Sequence, residues 1–254
     1  QKLKEKGIAP HLAIVLVGDN PQSVAYIEQK ELKGTKIGIK VSVHKFPKSI
    51  TTRDLVKHLN DLNHLSEVHG IIVQRPLPFH IGSEEIDKAV IPAKDVDGFH
   101  PDSPYRPPIA AAVLKILESI DKNFKSKKIV VIGKGQTGGG PIIKTFKKLG
   151  INFNIIDRSI HNSSFIIHNS DIIISAVGKP DIVKPEMIKD GVFLISVGLN
   201  KGKDDKLHGD YEEEKIKDIA SFYTPTPGGV GPVNVACLLE NLVKAAEISY
   251  LKSS

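Results

Sequence analysis

KIVVIGKGQTGGGP, residues 128–141, is the stretch on which the fold reading turns. Its first five residues, 128–132, read as a strand, four of them (129–132) in a short apolar run, the pattern of a buried parallel strand. Gly133, Gly135 and Gly138 follow at the spacing G-x-G-x-x-G, and the pattern predicts a helix over 142–149. Glycines let the backbone approach a pyrophosphate, and a helix N-terminus offers free N–H groups and the positive end of a dipole. Pro141 suits the start of a helix, because the N–H it lacks would have no partner there. Strand, glycine turn and helix in that order point to a Rossmann-type dinucleotide-binding unit, with Gly133, Lys134 and Gly135 as cofactor contacts. A purely structural glycine turn is the plainer alternative.

The next strand, 152–156, ends on Asp157-Arg158-Ser159. An acid at this place bonds a ribose 2′-hydroxyl and favours NAD, whereas a nearby arginine accommodates a 2′-phosphate and favours NADP. The two signals conflict. Lys134 adds a cation inside the loop, so the expected cofactor is NADP, with NAD possible and with Arg158 and Ser159 as further contacts. Further strands are predicted over 171–176 and 192–197.

Upstream, the same alternation recurs. The run 11–17 (HLAIVLV) reads as a buried strand, 23–34 as a helix, 39–46 as a strand, a helix starts at Thr51, and 69–74 (HGIIVQ) is a third strand. Alternating strands and helices imply parallel sheets with right-handed crossovers. A proline-rich stretch, 101–108, and an apolar helix, 109–120, separate this part from the glycine loop. The fold class is therefore α/β with two domains. An N-terminal α/β domain covers 1–108 and a dinucleotide-binding domain 109–231. An amphipathic closing helix, 232–254, has apolar residues at helical spacing and is assigned to the N-terminal domain.

Composition narrows the function. The 254 residues carry a net charge of +6, yet the basic residues are dispersed and aromatics are few, so a solvated basic surface is favoured over nucleic-acid binding. No apolar run reaches the ~18 residues of a membrane span. Ten histidines and one cysteine, Cys237, show no metal-ligand spacing, and no metal is expected. The lone cysteine and the charged opening residues, with no apolar signal segment after them, give a cytoplasmic expectation.

Three polar clusters lie outside the glycine loop. Tyr26 and Lys30 sit at i and i+4, on one helix face. A lysine shielded from water has a lowered pKa and can act as acid or base near neutrality. Taken alone, this segment favours an ordinary exposed helical lysine, since many helices carry YxxxK by chance. Gln74 ends the third strand, at the carboxyl edge where parallel sheets place ligands, and a solvated turn is its alternative. The third cluster, 94–100 (KDVDGFH), holds Asp97, a carboxylate able to accept two N–H bonds from an aminopyrimidine edge. A calcium loop is the runner-up there, but the oxygen ligands are too few. Finally, 224–232 (TPTPGGVGP) is rigid and poor in side chains, which lets a flat ligand lie against the backbone.

Taken together, SVAYIEQK (23–30), GIIVQRPLP (70–78), KDVDGFHP (94–101), AVGKP (176–180), SVGLN (196–200), GD (209–210) and TPTPGGVGPVN (224–234) resemble the methylenetetrahydrofolate dehydrogenase/cyclohydrolase family. They run in the family's order over nearly the whole chain. The resemblance implies tetrahydrofolate substrates, two domains with a cleft between them, and a homodimer. It implies Lys30 as the catalytic lysine, tuned by Gln74, with Tyr26 packing by the folate and Asp97 holding the pterin. It also implies that Pro227, Gly228, Gly229 and Val230 line the folate site, and that Gly178 and Leu199 belong to the cofactor site. The implied activity is NADP-dependent oxidation of 5,10-methylenetetrahydrofolate followed by hydrolysis to 10-formyltetrahydrofolate. Alternatives are a monofunctional NAD-dependent dehydrogenase or another nicotinamide-dependent oxidoreductase. The sequence departs from the family pattern in several places. GKGQTGGGP stands where GRSxxVGxP is usual. Arg75 replaces a Leu, Ser196 an Asp and Asn234 a Thr. The stretch between His100 and Ile109 lacks a P-C-T-P segment.

Overall fold

The computed structural model describes residues 2–157, 163–202 and 204–253. The chain divides into two compact units, one formed by Gln1–Pro108 with Val235–Ser254, the other by Ile109–Asn234.

The first unit opens with a short helix α1 (Lys2–Glu5) and then alternates β1 (His11–Val17), α2 (Pro21–Lys36), β2 (Lys40–Phe46), α3 (Thr52–His64), β3 (Gly70–Val73) and α4 (Ser83–Ala89). The three strands form a parallel sheet in the order β2-β1-β3. All seven residues of β1 are buried, as a central parallel strand requires. Successive side chains point to opposite faces of the sheet. Leu12, Ile14 and Leu16 therefore join one apolar cluster, while Ala13, Val15 and Val17 join the other with Leu55, Leu59 and Leu62 of α3. Helix starts follow local chemistry. The Asn20 side chain accepts from the Gln22 and Ser23 N–H groups ahead of Pro21, and Thr51 accepts from the Asp54 N–H. The sequence pattern began α2 at residue 23, but this cap moves the start to Pro21. The helix α4 went unseen because its N-cap, Gly82, makes no side-chain bond and one residue of the helix, Ile86, is buried.

The second unit contains α5 (Pro108–Ile120), β4 (Ile129–Ile132), α6 (Gly139–Lys148), β5 (Asn154–Ile156), α7 (Ser163–His168), β6 (Ile172–Ser175), β7 (Phe193–Ser196), the short pair β8 (Asn200–Lys201) and β9 (Leu207–His208), α8 (Glu213–Ile216) and β10 (Phe222–Tyr223). Its main sheet is parallel throughout, in the order β10-β7-β6-β4-β5. The chain steps from β4 outward to β5, then returns to the other side of β4 for β6. The crevice at the carboxyl ends of β4 and β6 is thus the topological switch point, where open α/β sheets bind ligands. The 142–149 helix of the sequence pattern starts three residues earlier, at Gly139, so that Gly138 is its N-cap.

The last helix, α9 (Val230–Ser253), begins two residues before the expected start. From Val235 onward it belongs to the first unit, where Leu238, Leu239 and Leu242 pack into the cluster of Leu12, Ile14 and Leu16. Asn241, buried on this helix, donates through Nδ2 to the carbonyls of Val96 and Arg106, each at 2.9 Å. Gly70 is required beneath it, because a Cβ there would lie 2.7 Å from Leu242 and 2.9 Å from Val96.

Candidate active site

In the first unit, Lys30 and Gln74 meet. Lys30 projects from the buried face of α2 and is 8% exposed. Gln74 follows β3 and prolongs its ladder, donating its N–H to Val15 O at 2.8 Å. Its side-chain amide donates to Arg75 O at 3.0 Å, which leaves Oε1 to accept from Lys30 Nζ at 2.9 Å. Ser23 Oγ also donates to Arg75 O, tying α2 to the same turn. Burial disfavours the charged ammonium and holds the Lys30 pKa below its ordinary value, with nearby Asp97 opposing the shift. Asp97 is half-buried, and desolvation raises its pKa against the pull of Lys30 and Arg75. Tyr26 lies one turn before Lys30 on α2, half-buried, with its phenol pKa raised by burial. The structure thus brings a desolvated lysine, an oriented amide and a carboxylate into one electrostatic neighbourhood.

Arg75, a departure from the family pattern, is built into this corner. Its side chain is 6% exposed. It pairs with Asp87, donates to Ser83 Oγ at 3.0 Å and lies over the Phe99 ring at 5.3 Å. The segment bearing Asp97 is bracketed by Asp95, whose carboxylate accepts the His100 N–H at 2.8 Å. Burial raises the Asp95 pKa to about 6.

In the second unit, the glycine turn forms a close-packed cradle. Gly133 has φ +91°, and a Cβ on it would lie 2.8 Å from Ala176 O. A Cβ on Gly139 would meet Gly133 O at 1.9 Å. Gly139 therefore supplies the close contact between helix and turn. Gly135 has open space around its Cβ position, which leaves its backbone free to face a ligand. Lys134 Nζ pairs with Asp157 Oδ2 at 2.6 Å, so the acid at the end of β5 has a cation beside it. Gly178, φ +72°, packs against Leu199, whose carbonyl would lie 3.1 Å from an added Cβ. The cradle that a Cβ would fill, the positive dipole end at the start of α6 and the switch-point position together fit a dinucleotide pyrophosphate. Arg158 and Ser159, also expected as cofactor contacts, lie outside the described residues.

The remaining expected residues end this unit. Pro227 and Gly228 are exposed, Gly229 is half-buried, and Val230 is buried as the first residue of α9. A Cβ on Gly229 would lie 2.5 Å from Pro225 O, so the backbone folds tightly on itself there. Asp210, which is not among the sequence-based site residues, accepts four hydrogen bonds on its carboxylate. Its only sequence signal was the dipeptide Gly209-Asp210. Among the described residues no cluster of three or more His, Cys, Asp or Glu is placed to hold a metal, and no helix is long and apolar enough to cross a membrane.

Comparison with known proteins agrees with the α/β fold. The family described as tetrahydrofolate dehydrogenase/cyclohydrolase, catalytic domain, matches residues 1–97, and its NAD(P)-binding domain matches 107–250. A bifunctional FolD protein of Nautilia profundicola is 38% identical, with 97% of this chain and 90% of that protein covered. The crystal structure of the bifunctional FolD methylenetetrahydrofolate dehydrogenase/cyclohydrolase of Campylobacter jejuni superposes with TM-score 0.92 at 37% identity, covering 97% of this chain and 91% of that one. The Trypanosoma brucei enzyme, solved with NADP and an inhibitor, gives TM-score 0.89 at 27% identity, covering 98% and 90%. With both halves matched in order and full-length relatives above 35% identity, this chain belongs to the tetrahydrofolate dehydrogenase/cyclohydrolase family.

Proposed function

We propose that the chain oxidises 5,10-methylenetetrahydrofolate to the 5,10-methenyl cation with NADP and then hydrolyses that cation to 10-formyltetrahydrofolate. The observation that supports this most is the Lys30–Gln74 hydrogen bond, 2.9 Å, around a buried lysine of depressed pKa. Bound NADP supplies the hydride acceptor for the first step. Gly133, Lys134 and Gly135 would hold its phosphates, with Gly178 and Leu199 along the remainder and Arg158 and Ser159 as sequence-based candidates.

Lys30 serves the second step. The methenyl intermediate is a cation, and a second buried cation beside it would cost several kcal/mol, on the order of the penalties for unpaired buried charges. Desolvation favours the neutral amine, which can take one proton from the attacking water and return it to the ring nitrogen as the C–N bond opens, while the second water proton leaves the carbinol hydroxyl to solvent as the formyl C=O forms, so that one proton is released overall. Gln74 Oε1 accepts one amine hydrogen and so aims the Nζ lone pair away from itself. Asp97 accepts N–H bonds from the pterin edge, Tyr26 packs against the ring system, and Pro227, Gly228, Gly229 and Val230 line the folate.

NADP over NAD is supported by Lys134, which sets a cation against Asp157 where the 2′ substituent of the ribose belongs. The family's membership also supports a homodimer in the cytoplasm, to be read as a particle of twice the chain mass by light scattering. The test is spectrophotometric. Methylenetetrahydrofolate with NADP or NAD is followed at the reduced nucleotide and the methenyl bands together. Reduction faster with NADP, with transient methenyl absorbance, is expected. If Lys30→Ala hydrolysed methenyltetrahydrofolate as fast as wild type, the assignment of Lys30 would be wrong.

A further inference from the structure

We propose that Asp210 is a positioning residue for the nucleotide site, its carboxylate filling a backbone nest in the loop after β6 and so fixing the surface that the nucleotide meets. The inference rests on the dinucleotide-binding reading above, and Asp210 itself lies beneath that surface rather than on it.

Asp210 is fully buried. Its Oδ1 accepts from the N–H groups of Gly178 at 2.8 Å and Lys179 at 3.0 Å. Its Oδ2 accepts from Ser175 Oγ at 2.6 Å and the Val177 N–H at 2.9 Å. Three successive backbone N–H groups converging on one point form an anion-binding concavity. Here the anion is the protein's own carboxylate, so the nest is closed to a phosphate. Its effect is to set the turn that runs from Ala176, against which Gly133 packs, to Gly178, against which Leu199 packs.

The backbone of Asp210 extends the tie. Its N–H donates to Ser196 Oγ at 2.9 Å, and its carbonyl accepts from Ile182 and Val183. Ser196 Oγ in turn donates to Gly198 O at 3.2 Å. A Cβ on Gly198 would lie 2.3 Å from both Asp210 Oδ2 and Gly178 N, so Gly198 exists to let this carboxylate close on the nest. One side chain thereby sets the loops after β6 and β7, which border the switch-point crevice on one side. Ser196 stands where the family pattern has an acid, and in this chain its hydroxyl serves as both acceptor from and anchor for the Asp210 segment.

Two variants test the proposal without removing any group that would touch a ligand. Asp210→Asn keeps the volume but turns an N–H₂ toward N–H donors. Gly198→Ala keeps the carboxylate and pushes it off the nest. The measurements are the Kd for NADP by calorimetry with the full chain, and the KM for NADP against kcat with methylenetetrahydrofolate. A Kd raised about ten-fold or more in both variants is expected, the factor that ~1.4 kcal/mol of lost preorganisation gives, with KM rising more than kcat falls. Should Asp210→Asn fail to fold, Gly198→Ala decides. An unchanged Kd in a folded variant, even with a lower Tm, would overturn the proposal, since a merely structural carboxylate moves Tm and leaves Kd alone. Wild-type protein that binds NADP without turning over folate would defeat the functional reading while leaving this proposal to be judged on Kd. Wild type that binds neither NADP nor NAD would defeat both.

Discussion

Lys30 illustrates how a residue's environment rather than its identity makes it chemical. It is a helix residue, and its tyrosine neighbour at i−4 occurs in many helices. Burial and Gln74 set it apart. The depressed pKa has a thermodynamic signature whose sign follows from linkage. Below the depressed folded value, both folded and unfolded lysine hold the proton. Between that value and the ordinary 10.5, the folded protein releases it while the unfolded chain retains it, so stability climbs as pH rises through this window. Lys30→Met should lack this climb, and urea unfolding at a series of alkaline pH values checks it. Parallel curves for the two proteins would show that Lys30 titrates normally. Lys134 supports a separate prediction. Lys134→Ala should raise the KM for NADP several-fold more than that for NAD, because the lost cation faces the 2′ substituent and frees Asp157 for a ribose hydroxyl. Steady-state kinetics with both nucleotides read this directly, and an equal effect on the two would place Lys134 elsewhere in the site.

At the scale of elements, α9 is the device that joins one end of the chain to the Asp97 segment. Its Asn241 satisfies two carbonyls, those of Val96 and Arg106, which flank that segment. Asn241→Leu would leave the buried Val96 carbonyl unpaired, at about 1–3 kcal/mol of stability, while solvent can reach the Arg106 carbonyl. The expected result is a Tm lowered by several degrees and a KM for folate raised, with the KM for NADP little changed. A folate KM equal to that of wild type would mean that the segment holds its shape without the helix. This element scale is also where the sequence was most and least legible. The apolar run of β1 and the strand–glycine–helix order around Gly133 are local patterns, and both read correctly. Gly139, by contrast, looked like one glycine among several, because only the clash that an added Cβ would make with Gly133 O singles it out. Asp210 was hidden for a similar reason. Its four donors lie 31–35 residues away in the chain, and no local pattern records a carboxylate that turns inward to a loop so distant. Lys30 and Gln74, 44 residues apart, became a pair on family resemblance, whereas periodicity left each ambiguous.

At the scale of the whole molecule, two units with separate cores imply two separately addressable binding reactions. The first unit contains Lys30, Gln74 and Asp97, and the second the glycine cradle and the Asp210 nest. A ligand that binds only the folded form stabilises it by RT ln(1 + [L]/Kd), and the protection appears in whatever part must be folded for binding. NADP at about a hundred times its Kd should therefore add ~2.7 kcal/mol to the stability of the unit that holds it. Amide hydrogen exchange would locate the effect. NADP should slow exchange at residues 133–140 and 177–179, and most of all at Gly178 and Lys179, whose N–H groups already bond Asp210. A folate analogue alone should instead protect residues after β3 and around Asp97, including the Asp95–His100 bracket. Protection by NADP confined to the Lys30 neighbourhood would contradict the assignment of the nucleotide to the second unit. Equal protection of both units by either ligand would show that they unfold as one, in which case the Asp210→Asn variant should weaken folate protection as much as nucleotide protection.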